Sequence, residues 1–153
     1  MELELNILVR LMAALVFSGI LGWERETLGK PAGLRTHMLV GGGSSMFVGI
    51  GEFLVIEFQH FGELLRFDPT RIIEAVVAAV GFLGAGTIFF ARSEHKIQGL
   101  TTAASLWTTA GAGMAAGLGR CVPAAGATAL IFLVLRGLMW FENKSLSKPA
   151  KDS

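Results

Sequence analysis

The chain has 153 residues, of which 52% are hydrophobic and only 16% charged, against about 25% charged in an ordinary soluble domain. That balance excludes a disordered chain, and the single cysteine excludes an internal disulfide. The net charge of +1 leaves no basic footprint for nucleic acid. The expected solvent is lipid.

A helix that crosses a bilayer needs about 20 mainly apolar residues, and five windows supply them, at 5–23, 38–58, 72–91, 99–118 and 122–141. Polar loops separate them at 24–37, 59–71, 92–98 and 119–121, and a polar tail covers 142–153. The predicted architecture is all-α: one transmembrane bundle of about five helices over residues 1–141, followed by a short tail. The fourth window is the least apolar, being mostly Gly, Ala, Thr and Ser. The first is not expected to be a cleaved leader, because Glu2 and Glu4 stand where positive charge belongs.

Lysine and arginine set orientation, since positive loops stay cytoplasmic. Five spans place Arg25, Lys30, Arg35, Arg92, Lys96, Lys144, Lys148 and Lys151 on one side and Arg66, Arg71 and Arg120 on the other. The expected orientation is therefore N-terminus outside and C-terminus cytoplasmic. Trp23, Trp140 and Phe141 fall at cytoplasmic ends, where aromatic belts form. Trp107 is mid-span and is expected to pack against small residues of its neighbours.

Glycines mark three places. Gly113 and Gly117 lie four apart in the fourth span, a close-packing pattern for helices in lipid. Gly84 and Gly86, within the run G-F-L-G-A-G at 81–86, mark either packing or a break in the third helix. Broken helices build substrate sites in transporters. A weak repeat pairs Gly19–Gly22 and Gly33–Thr36 with Gly81–Gly84 and Gly99–Thr102, although coincidence is the leading explanation in a chain this rich in Gly and Leu.

Arg10, Glu52, Glu74 and Arg136 lie within or at the edges of spans, where ionisable groups are costly and become functional candidates. Arg10 and Glu52 share a depth, so Arg10 is expected to pair with Glu52 or Glu74. Arg136 is within snorkelling reach of the cytoplasmic surface, near Glu24 or Glu26. Such charges serve either as orienting pairs or as parts of an ion path.

The longest cytoplasmic loop alternates charges at Glu24, Arg25 and Glu26 and then turns at Pro31 and Gly33 before Arg35, Thr36 and His37. Positive charge alone would fix topology; the glutamates beside it point to a structured patch. His37, His60, His95 and Cys121 lack the paired spacings of a zinc site. No nucleophile–base pair is evident within the spans. No metal, cofactor or enzymatic activity is expected.

Four strings, G-W-E-R-E at 22–26, K-P-A-G-L-R-T-H at 30–37, G-F-L-G-A-G at 81–86 and G-L-T-T-A-A-S-L-W at 99–107, resemble those of the MgtC/SapB family in the same order. The likeness runs over roughly residues 5–140. It implies a bacterial inner-membrane protein linked to growth in low magnesium, to stress adaptation and, in some members, to survival inside host cells. It also implies a regulator or accessory factor that acts through another membrane complex or through self-association, with the lipid bilayer around it. The short tail resembles a form without the soluble C-terminal domain of longer members. The residues expected to matter are Glu24, Arg25, Glu26, Arg35, Thr36 and His37 at the cytoplasmic face, with Gly84, Gly86, Gly99, Thr101, Thr102 and Trp107 shaping the adjoining interior. The alternative is a small ion or solute carrier with Arg10 and Glu52 along its path.

Overall fold

A computed structural model describes residues 1–58, 68, 70–90 and 98–146, and the side chains of 1–58, 68, 70–88 and 98–138. The expectations resting on His60, Arg66, Arg92, His95, Lys96, Trp140, Phe141 and the tail lysines fall outside those limits. Among the described residues the structure is all helix: α1 (Glu2–Thr27), α2 (Leu34–Phe58), α3 (Thr70–Phe90), α4 (Leu100–Gly117) and α5 (Cys121–Leu146).

Each apolar window becomes one helix, but α1 and α2 run past theirs and leave only residues 28–33 between them. The reason is local hydrogen bonding. Gly29 takes a left-handed φ of 62°, so its N–H reaches Glu26 O at 3.0 Å while Lys30 N–H reaches Arg25 O at 3.0 Å. This paired closure uses carbonyls that a helix end leaves unpaired. The same device ends α4, where Gly119 has φ 73° and the N–H groups of Gly119 and Arg120 bond Ala116 O and Ala115 O.

Among the described residues, four helices, α1, α2, α3 and α5, are long and apolar enough to cross a membrane. Helix α4 is the exception, and its position explains why. It touches all four other helices. It buries Thr102, Ser105 and Thr109 inward while Leu100, Trp107 and Leu118 face outward. In lipid the polar face of a helix belongs against protein, because each unpaired polar group in hydrocarbon costs several kcal/mol.

Of the two readings of Gly81–Gly86 packing holds, and the expected place of Trp107 is corrected. Helix α3 continues without interruption through Gly81–Gly86, because its backbone ladder needs no break there. Gly84 instead admits the neighbouring helix, a Cβ at its position lying 3.3 Å from Ala103 Cβ, whereas Gly81 and Gly86 meet nothing within 4 Å. Trp107 does not fill the interior; it is 53% exposed, on a different face of α4 from the buried Thr102, Ser105 and Thr109.

That packing is tight. A Cβ at Gly113 would overlap the Gly41 carbonyl, and one at Gly117 would lie 2.8 Å from Ser45 O. The α2 and α4 backbones therefore touch at two levels one turn apart. The hairpins α1–α2 and α3–α4 share one local feature, consistent with the weak repeat. Gly22 faces His37 in the first turn of α2, and Gly84 faces Ala103 in the first turn of α4.

Candidate functional site

The end of α1, the start of α2 and the loop between them send their polar residues two ways. Glu26 stays exposed and its Oε2 accepts the N–H of Leu34 at 2.7 Å, satisfying a donor that the start of α2 leaves unpaired. Gly33 makes this possible, since a Cβ there would lie 2.7 Å from Glu26 Oε2. Lys30, Pro31, Arg35 and Thr36 are exposed beside it.

Glu24, Arg25 and His37 point the other way, into the bundle. Arg25 donates from Nη2 to Thr102 Oγ1 on α4 at 3.0 Å. His37 donates from Nδ1 to Gly33 O at 3.0 Å, and its Nε2 lies 3.1 Å from Ser105 Oγ. The single hydroxyl hydrogen of Ser105 also has Thr102 O within 2.8 Å, so a neutral His37 competes with that carbonyl for it. Both carboxylate oxygens of Glu24 are buried without a partner, as is Arg25 Nε. The expected surface patch is thus divided: Glu26, Arg35 and Thr36 face outward, while Arg25 from the last turn of α1 and His37 from the first turn of α2 join the first two turns of α4, with Glu24 buried beside them.

From this joint a polar seam follows α4 along the α1–α2 cleft. Thr102, Ser105 and Thr109 occupy one face at i, i+3 and i+7, and Ser18 of α1 and Ser45 of α2 are buried along the same cleft. Serine and threonine in a helix usually return the hydroxyl to a carbonyl three or four residues back. Ser44, Thr87, Ser105, Thr108 and Thr128 do so. Ser18, Ser45 and Thr109 do not, and their hydroxyls are buried and unpaired.

The seam ends at the opposite surface in an ion pair between Arg10 and Glu52, the partner expected from their common depth. Arg10 Nη1 also donates to Gly117 O at 3.2 Å, one of the carbonyls at the end of α4, whose dipole favours positive charge. Glu74 is exposed and takes no part. Arg136 is also exposed and makes no ion pair with Glu24 or Glu26, because Glu24 is turned inward and Glu26 is held to α2. Thr101 faces outward, and Gly99, at φ 89°, opens α4 with no room for a Cβ, which would lie 2.6 Å from Thr87 O.

Ser18, Gly41, Ser105 and Thr109 join the site only through the packing of the helices. The sequence signal was the stripe Thr102–Ser105–Thr109, which has helical spacing within the least apolar span.

A bundle of long apolar helices with polar side chains turned inward, and with an ion pair between α1 and α2 that also hydrogen-bonds the end of α4, defines an integral membrane protein. The chain belongs to the MgtC family, whose model matches residues 11–144. It is 44% identical over 115 residues to YhiD of Escherichia coli K12, named as a candidate magnesium transporter, a match covering 73% of this chain and 51% of that protein. It is 38% identical over 126 residues to MgtC of Brucella abortus, covering 81% of this chain and 48% of the relative. It is 32% identical over 139 residues to SapB of Bacillus subtilis, covering 91% and 59%. The chain therefore spans about half the length of the curated relatives it matches. No solved structure matches it significantly.

Proposed function

We propose that the chain is a regulatory or accessory protein of the bacterial inner membrane, with its C-terminus cytoplasmic, that serves adaptation to magnesium limitation and related stress, including that met inside a host, by contacting another membrane complex. It is not an enzyme and needs no cofactor. The observation that carries the reading is the backbone contact of α2 with α4 at Gly41–Gly113 and Ser45–Gly117. Magnesium keeps several waters and dehydrates reluctantly, and a seam closed backbone to backbone offers such an ion no passage. The exposed hairpin surface of Arg35 and Thr36, held by the Glu26 cap, supplies the contact face.

The test is complementation of a strain lacking its own family member in low magnesium, with photo-crosslinking from position 36. Restored growth with a specific crosslinked membrane protein supports the reading; restored growth without any crosslinked partner contradicts it.

One observation favours a second reading, a narrow path for protons. The unpaired hydroxyls of Ser18, Thr109 and Ser45 lie between Arg25–Thr102 at one end and Arg10–Glu52 at the other. From Thr102 to Gly117 the seam rises about 22 Å, most of a hydrocarbon core of about 30 Å. Proton uptake by proteoliposomes that is lost in Thr109→Val would establish this reading; uptake equal to that of empty vesicles would remove it.

A further inference from the structure

Outside the polar seam, a groove of about 530 Å³ lies between α1 and α5, within the usual ligand-pocket range of about 300–1,000 Å³. It is lined by Phe17 and Ile20 of α1 and by the small pair Ala125 and Ala129 with Phe132 of α5. Thr128 also lines it but gives its hydroxyl to Ala124 O at 2.9 Å, so it adds no free polar hydrogen. Such a slot, with nothing to hydrogen-bond along its length, suits a hydrocarbon chain.

Arg136 closes one end of the groove. It lies fifteen residues into α5, about 22 Å along the axis, and so roughly 8 Å short of the far side of a core about 30 Å thick. A guanidinium at that depth extends toward the interface to meet an anion. No protein carboxylate pairs with it among the described residues, since Glu24 is buried and Glu26 is bonded to Leu34 N. From Arg136 back to Ala125 is about 16 Å, the depth of one leaflet's acyl region.

We propose that the α1–α5 groove binds one anionic phospholipid, its headgroup phosphate paired with Arg136 and one acyl chain lying along Ala129 and Ala125. The charge selects the occupant. A zwitterionic lipid already balances its phosphate internally, whereas an anionic headgroup leaves a charge for Arg136, and basic pockets between membrane helices hold anionic headgroups in this way. A partner helix would fill the apolar slot and leave the guanidinium unmatched.

The experiment uses the full purified chain in mild detergent, with binding of phosphatidylglycerol and phosphatidylcholine followed by native mass spectrometry. Phosphatidylglycerol is expected to be retained in preference to phosphatidylcholine. Arg136→Gln should weaken its retention about fivefold and remove the preference, while Arg136→Lys keeps most of it. Ala129→Phe should displace the lipid with Arg136 still present. Arg120→Gln, at the other end of the molecule, should change nothing. Equal retention of the two lipids, an unchanged preference in Arg136→Gln, or the same loss in Arg120→Gln would overturn the proposal.

Discussion

Replacing Gly113 by alanine tests the closed seam with a single methyl group. The new Cβ would overlap Gly41 O and lie 2.7 Å from Gly41 Cα and 2.8 Å from its carbonyl carbon. All three atoms are backbone, so no side-chain rotation relieves them. Restoring an ordinary carbon contact near 3.5 Å requires α2 and α4 to part by about an ångström. Overpacking of this kind costs about 1–3 kcal/mol, and rigid backbone on both sides puts Gly113→Ala near the upper end. Gly111 supplies the control on the same helix. Nothing lies within 4 Å of its Cβ position, so Gly111→Ala should gain about 0.5–1 kcal/mol from helix propensity alone. The two substitutions should therefore differ by about 3 kcal/mol, which for a chain of this size separates their midpoints by about 6–12 °C. Heating the detergent-solubilised protein and measuring what survives on size exclusion gives the comparison. Midpoints within about 2 °C of each other would refute the seam.

Other substitutions probe the remaining contacts, each read as thermal stability in the same detergent. Thr102→Val strands a buried Arg25 donor and should cost about 1–3 kcal/mol, whereas Thr102→Ser, which keeps the acceptor, should cost less than half as much. A double-mutant cycle on Arg10 and Glu52 should give a coupling of about 1–2 kcal/mol, below a fully buried pair because the two side chains are 22% and 36% exposed; zero coupling would remove the ion pair from the account. Gly99→Ala places a Cβ at φ 89° and 2.6 Å from Thr87 O and should cost at least about 1–2 kcal/mol, while Gly86→Ala, with open space around it, should cost nothing.

Much of the bundle was legible because length and apolarity alone specify a span in lipid. The pairing of Arg10 with Glu52 was legible for a similar reason: two opposite charges at one depth have few other partners. What stayed hidden depended on direction. Residues 24–26 are adjacent in sequence, yet successive side chains on a helix point about 100° apart, and only the packed structure shows Glu24 and Arg25 inward with Glu26 capping α2. The glycine run of α3 suggested a break because glycine permits one, but an intact backbone ladder and the contact of Gly84 with Ala103 kept it helical. The low apolarity of α4 looked like a weakness of the fourth span. It is the consequence of a helix that touches four neighbours and turns its hydroxyls toward them.

The proposed role rests on an α2–α4 seam that is closed to magnesium. Purified chain reconstituted into liposomes with a trapped magnesium indicator, under an inward magnesium gradient, tests it directly. Entry should equal that of protein-free vesicles and be unchanged by Glu52→Gln. Saturable magnesium entry that Glu52→Gln abolishes would contradict it.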